Sequence, residues 1–314
     1  MLVIPACIRQ ESSRFPLTAR GNTGPLSLEW ERASKGITMR RDALRQTVER
    51  FGFEWTRYQA EMADEDRRTF LAETLFQPAE LNGRVVLDAG CGQGRYSRIA
   101  AGFGARVIAV DASVSVEKAK KISQDFDIEY LQADLFQLPF QPGTFDYIYC
   151  LGVLHHTKDP SSGLKKLSIV LKEGGILSFW VYGRVGTPAE FKEAIPCRWK
   201  KFWLPLFLGL KLREFNSRLL RKVTTNLRPE VLYRISYLSV PLGKLRFINA
   251  LLPISDHPNA SLRVNDTFDW YAPKIQTHHS RQEILRWCEE AGLDIVAWIS
   301  YGVVPKFGVR TKKR

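Results

Sequence analysis

The sequence predicts an α/β protein built on a parallel sheet, interrupted by one large insertion and preceded by an N-terminal extension. Three observations carry that reading. Between residues 84 and 181, short β-rich runs ("RVVLD", "RVIAVD", "IEYLQAD", "FDYIYCL", "GILSFWVY") alternate with amphipathic segments. Parallel strands need crossover connections, so this rhythm reads as successive βαβ units. After Gly183 the rhythm stops for about 90 residues of basic, Pro- and Trp-bearing sequence, then resumes with "SRQEILRWCEEAG" and "LDIVAWIS". Finally, 314 residues with 45% hydrophobic content suffice for one large core plus an appendage.

Taken in order, residues 1–80 form an extension. Its first part, "SSRFPLTARGNTGPLS", has the composition of a poorly ordered segment, and the charged run that follows looks helical. Residues 81–184 and 276–314 supply the sheet domain, and residues 185–275 are a basic, aromatic-rich, mainly helical insertion expected to cap it. The resumption is marked by a capping box, Ser280 with Glu283 three residues on. Ile284, Leu285 and Cys288 are read as a one-sided apolar stripe, and Gly292 as the stop.

Five scattered cysteines, Cys7, Cys91, Cys150, Cys197 and Cys288, include no C-x-x-C pair, so neither a disulfide framework nor a metal site is expected. The sequence lacks the marks of a signal peptide and any apolar run long enough to span a bilayer, which points to a soluble protein of the reducing cytoplasm. A net charge of +13 asks for an anionic partner.

The stretch "VVLDAGCGQGRYS" raises the chemical question. A dinucleotide site carries G-x-G-x-x-G against its pyrophosphate, but here the glycines are Gly90, Gly92 and Gly94, with Arg95 where the last should fall. Asp88 precedes them. A carboxylate about 6 Å from a ligand charge is worth on the order of 3 kcal/mol at an effective dielectric of 20, attractive for a cation and repulsive for a phosphate. S-adenosylmethionine meets that demand, with an ammonium, a sulfonium, no phosphate, and a ribose for Asp111 to hold at the end of "RVIAVD".

"VLDAGCGQGRYS", "VIAVDAS", "LQADLFQLPF", "FDYIYCLGVLHHTKDP" and "LKEGGILSFWVYG" resemble, in order and spacing, the successive motifs of class I S-adenosylmethionine-dependent methyltransferases, in particular the small-molecule branch that includes the ubiquinone and menaquinone methyltransferases. The resemblance covers residues 81–183 and, more loosely, 276–309. It implies a doubly wound, seven-stranded, Rossmann-like sheet of order 3-2-1-4-5-7-6 with the last strand antiparallel. It also implies that Asp88, Gly90, Gly92 and Gly94 surround the methionine part of the cofactor, that Asp111 holds the ribose, that Asp134 and Leu135 flank the adenine, and that Leu151 touches the cofactor. S-adenosylhomocysteine would be the product. "FGFEWTRY" is similar to a segment preceding the domain in related proteins, so Phe51, Trp55 and Tyr58 are read either as a lid or as core.

Methyl transfer to oxygen or carbon often needs a base. The candidates are His155 and His156 in "GVLHHTKDP", which fall at the C-terminal edge of the sheet, and His279 beside His278 before the Ser280 cap, with Tyr182 and Tyr271 behind them. Cys91 and Cys150 read as small buried residues.

The insertion should carry substrate choice. Residues 192–246 hold 13 Lys and Arg against three Glu. Residues 199–222 interleave Trp199, Phe202, Trp203, Leu204, Leu206, Phe207 and Leu208 with basic flanks, a composition suited to peripheral contact with an anionic membrane, to a cap with a solvated basic face, or, less well, to nucleic acid. The expected function is methyl transfer to a small-molecule acceptor, lipid-linked or a glycan or quinone precursor. The alternatives are a tRNA-modifying methyltransferase and a non-catalytic cofactor-binding protein of the same fold.

Overall fold

The structure, a computed structural model, describes residues 42–57, 63–194, 197–245, 248, 251–299 and 306–314. Tyr58 and the segment read as poorly ordered lie outside them. Seven strands, β1 (Val85–Ala89), β2 (Arg106–Asp111), β3 (Ile128–Gln132), β4 (Phe145–Leu151), β5 (Leu171–Tyr182), β6 (Leu293–Ile299) and β7 (Lys306–Lys313), form one sheet in the order β3-β2-β1-β4-β5-β7-β6. β1 to β5 are parallel, and β7 runs antiparallel between β5 and β6. The expected sheet order is the observed one.

Both faces of the sheet are covered, which is why its central strands read as near-continuous apolar runs. On one face Leu87, Ile148, Cys150 and Phe179 pack with Leu164 and Leu167 of the helix Pro160–Val170 and with Ile284 and Cys288 of the helix Arg281–Glu290. On the other, Val86, Val107 and Tyr149 pack with Phe70 of the helix Ala63–Thr74 and Ala100 of the helix Arg95–Gly102. The capping box forms as read: Glu283 N–H donates to Ser280 Oγ and Ser280 N–H to Glu283 Oε2. Leu285 departs from its expected place and is 45% exposed, because the contact face of this helix is carried by Ile284 and Cys288.

The insertion is helical, with segments Pro188–Ala194, Trp203–Thr224, Pro229–Ser239 and Ala260–Tyr271. Its inner layer joins the extension: Phe53 of the 42–57 helix packs with Leu232, Tyr233, Phe268 and Tyr271, and Arg50 donates to the carbonyls of Thr225 and Leu227. Extension and insertion thus close over the C-terminal edge of the sheet together.

Candidate functional site

The turn after β1 folds back on β2, with Gly90 and Cys91 N–H groups both donating to Val110 O. Gly94 sits at φ 77°, and a Cβ there would run into the Tyr130 hydroxyl, so the glycine is required both by conformation and by close approach. Asp111 fastens the turn from β2: Oδ2 accepts from Gly92 N–H at 2.9 Å and Oδ1 from Ser113 N–H at 2.8 Å. Each oxygen retains a lone pair.

A cavity of about 920 Å³ opens here, above the strand ends. Gly90, Asp111, Asp134, Leu135 and Leu151, to which the resemblance assigns the cofactor, line it. Val110, Ala112, Ala133, Leu135 and Phe136 make an apolar slot at the β2 and β3 end. Asp134 Oδ1 caps the short turn Leu135–Gln137 by accepting from Phe136 N–H at 3.0 Å. Phe51 and Trp55 line the cavity from the extension, Phe51 meeting the His156 ring edge-on at 4.9 Å and Trp55 lying where a Gly92 side chain would be.

Asp88 is not on the cavity wall. Its buried carboxylate accepts from Ser97 Oγ at 2.6 Å and Tyr149 Oη at 3.0 Å, one layer behind the glycine turn. Burial pushes it up to about 7, with Asp111 adding to the rise and the Ser97 and Tyr149 hydrogen bonds opposing it. Gly92 and Gly94 shape the turn from the same layer.

The histidines divide. His156 lines the cavity, and its Nδ1–H donates to Ile275 O at 2.8 Å, which leaves Nε2 as the acceptor nitrogen. Burial lowers it to about 3, so it stays neutral and is a weak base. His155 is fully buried against Tyr182 and Trp180, off the cavity wall. Its ring nitrogens have no hydrogen-bond partner among the described residues, and burial holds it well below the usual imidazole range. His279 also stands off the wall: Nε2 is 2.8 Å from Thr277 Oγ1 and its ring meets Trp287 edge-on at 4.5 Å. His278 stacks on Tyr182, and burial lowers it to about 4. Tyr182 reaches the cavity and Tyr271 does not. The site expected of His155 and His279 is therefore corrected. They pack the entry to the 281–290 helix and the end of β5, because the bridge between Gly183 and His279 pins that loop to the sheet.

Sequence reasoning missed the carboxylates opposite. Glu54 comes from the 42–57 helix, and Asp266 and Asp269 from the helix Ala260–Tyr271. Asp266 accepts from Ser255 Oγ at 2.7 Å. Glu54 Oε2 and Asp269 Oδ1 are buried with no hydrogen-bond partner among the described residues, as is Asn265 Nδ2 beside them. Burial pushes Asp269 up to about 7, and burial together with Asp269 and Asp266 holds Glu54 well above the usual carboxylate range. A signal was present: two acids three residues apart in "VNDTFDWY", a spacing that puts them on one helix face. Glu73 completes the wall, accepting from Lys306 Nζ at 2.6 Å and Trp180 Nε1 at 3.1 Å, with the ammonium 3.6 Å from the Trp180 ring centroid.

In a protein of net charge +13, the cavity is acidic. Among the described residues that line it are six carboxylates, Glu54, Glu73, Asp111, Asp134, Asp266 and Asp269, against two cations, Arg95 and Lys306. Arg95 pairs with Asp66 at 3.0 Å and Lys306 with Glu73, so the surplus is negative. This wall suits a cationic ligand and repels a phosphate.

The family described as "Methyltransferase domain" matches residues 87–179. The chain is 38% identical over 115 residues to an uncharacterized protein of Synechococcus, covering 34% of this chain and 27% of that one. It is 35% identical over 120 residues to the ubiquinone biosynthesis O-methyltransferase of Xanthomonas euvesicatoria, covering 37% of this chain and 49% of the relative. The chain thus spans about half the length of that curated relative. Among solved structures, magnesium protoporphyrin IX methyltransferase from Synechocystis aligns with a TM-score of 0.47 at 18% identity, over 83% of this chain and 93% of that one.

Proposed function

From a chain whose residues 87–179 match the family described as a methyltransferase domain, we propose that the protein is an S-adenosylmethionine-dependent enzyme that transfers a methyl group to a small-molecule acceptor carrying a hydroxyl or amine. The observation that supports it most is the acidic cavity, which continues from the apolar slot beside Asp111 to the carboxylates of the insertion. Its volume stands near the top of the roughly 300–1,000 Å³ usual for ligand pockets, room for a cofactor and a second molecule side by side.

The residues present fit the cofactor. Asp111 offers lone pairs for ribose hydroxyls, the slot around Leu135 and Phe136 suits an adenine, Asp134 an exocyclic amine, and the backbone of the Gly90 turn the methionine part. The cofactor supplies an electrophilic methyl group on a sulfonium. What remains for the chain's own residues is to hold the acceptor and take its proton. Asp269 suits that role, because a carboxylate near 7 takes a proton far better than His156, which burial holds near 3. Asn265 Nδ2, buried with no partner among the described residues, would donate to an acceptor oxygen. Phe51, Trp55 and Trp270 exclude water.

Incubating the purified protein with methyl-labelled S-adenosylmethionine and a cell extract tests the proposal. Label in a small organic product that survives RNase supports it. Label lost with RNase transfers the reading to RNA modification, and cofactor binding without any transfer leaves a non-catalytic binding protein.

A further inference from the structure

The helix Trp203–Thr224 carries two apolar faces. One faces inward: Phe207, with Trp203, Leu206 and Leu210 beside it, packs on Val185 and Phe191. Near its C-terminal end Arg221 donates to the carbonyls of Trp270 and Pro273, and Arg213 lies over the Trp270 ring. The other faces solvent. Leu204, Leu208, Leu212, Phe215, Leu219 and Val223 follow one another in steps of four or three residues, and each is between 46% and 63% exposed. Such spacing puts them in one stripe along a helix about 33 Å long. The next helix, Pro229–Ser239, repeats the arrangement: Leu232 and Ser236 are buried, while Val231, Ile235 and Leu238 are exposed, and the stripe continues through Leu242 and Leu245. Of 21 exposed large hydrophobics among the described residues, 15 lie between Trp199 and Leu245. Isolated exposed leucines need no explanation, but apolar stripes on two anchored helices do.

Charge identifies what covers it. Lys200, Lys201, Arg218, Lys222, Arg228, Arg234 and Lys244 are exposed in the same segment, and its only acids are Glu214 and Glu230. A second copy of this chain would bring an equally basic face against it. A nucleic acid would find few rings to stack on, since of those 15 side chains four are aromatic, Trp199, Phe202, Phe215 and Tyr237, and eleven are aliphatic. An anionic lipid surface complements both components, accepting the apolar stripe below its headgroups and the lysines and arginines among them. No helix among the described residues is long and apolar enough to cross a membrane, so the segment would lie in the interface plane.

We infer that the exposed stripe of residues 199–245 is a docking surface for an anionic lipid bilayer. Residues 199–222, whose composition suited membrane contact, a cap or nucleic acid, present both kinds of face: Trp203, Leu206 and Phe207 belong to the inner one, whereas Leu212, Phe215, Leu219, Val223 and the 229–245 stripe belong to the outer one. Trp270 lines the cavity, its carbonyl accepting from Arg221 and its ring lying under Arg213, so the helix that carries the lipid face packs on a residue of the cavity wall. An acceptor held in the membrane would be delivered beside the site. This docking does not depend on methyl transfer.

Co-sedimentation of the full chain with vesicles of phosphatidylcholine, with and without phosphatidylglycerol, at low and high salt, tests it. The expected result is binding to the anionic vesicles only, falling but not vanishing at high salt. Replacing Leu208, Leu212, Phe215 and Leu219 together by Ser should cut binding by more than about tenfold at either salt. Because these side chains are exposed, the variant should keep its melting temperature and its S-adenosylhomocysteine affinity. Replacing Lys200, Lys201 and Lys222 by Gln should remove only the salt-sensitive part. Absence of wild-type binding at low salt, or equal binding by the Ser variant, would overturn the inference. So would a wild-type dimer that the Ser substitutions convert to monomer without any vesicle binding.

Discussion

Gly92 on the β1 turn donates its N–H to Asp111 Oδ2 on β2 at 2.9 Å, so the acid proposed to hold a ribose is also the anchor of the glycine turn. The two roles are coupled through one carboxylate, because ordering the turn fixes the rotamer that a ligand hydroxyl meets.

Asp111→Ala should therefore weaken S-adenosylhomocysteine binding by about 1.5 to 3 kcal/mol, the usual worth of hydrogen bonds to a charged group. Asp111→Asn, which keeps one acceptor oxygen, should lose less. Calorimetry checks both, and an affinity unchanged within about twofold for Asp111→Ala would remove the ribose role.

The buried Asp88 makes cofactor affinity depend on pH. Held near 7 by burial, it is mostly protonated at pH 6 and half ionised at pH 7. A cationic ligand favours the ionised form, so affinity should rise about fivefold between those values, with proton release on binding. Asp88→Asn should flatten the profile. A wild-type affinity independent of pH in this range would show that the charge behind the turn does not reach the ligand.

Asp269 links stability to pH with a definite sign. Its folded value, about 7, lies above the unfolded one near 3.9, so between them the native state binds more protons. Its contribution to stability is fully present below about pH 4 and lost as pH rises through 7, and Asp88 acts in the same direction. Asp269→Asn should leave the melting temperature little changed at about pH 4.5 and raise it relative to wild type at about pH 8, while abolishing the rise in methyl transfer with pH. A variant less stable than wild type at the higher pH would contradict the burial argument.

Glu73 and Lys306 join the helix Ala63–Thr74 to β7, with Trp180 Nε1 as a third partner. Both side chains keep some exposure, 11% and 19%. Removing one partner, in Glu73→Gln or Lys306→Met, should cost about 2 to 4 kcal/mol, somewhat below the loss for a fully buried pair. The double substitution should cost less than the two single losses added together, as denaturant unfolding can measure.

Much of the fold is legible in the sequence because it depends on local periodicity. β1, β2, β4 and β5 are largely buried and announce themselves as apolar runs, whereas β3 at the sheet edge is only half buried, and the Ser280–Glu283 box announces a helix within four residues. β7 is different. "KFGVRTKK" does not read as a strand, since only Gly308, Val309 and Thr311 are buried and Lys and Arg occupy much of the remaining register. Thr311 Oγ1 donates to Leu177 O, and Arg310 pairs with Glu80 at 3.2 Å. These contacts span well over a hundred positions and have no local trace.

At the cofactor end of the cavity the amino-acid order is sufficient, because a glycine turn followed by an acid at the end of the next strand is a contiguous pattern set by backbone conformation and one carboxylate. The other end exists only once the chain has folded. Glu54 and Asp269 lie 215 positions apart in helices whose composition reads as an ordinary charged surface, and neither is distinctive until burial strips it of water and hydrogen-bond partners. The same holds for the histidines: "LHH" and "THHS" are alike as chemistry, but packing put His156 on the cavity wall and turned His155 and His279 away from it. Local pattern specifies what a segment can form. Which polar groups lose solvent, and so acquire reactivity, depends on what the rest of the chain brings against them.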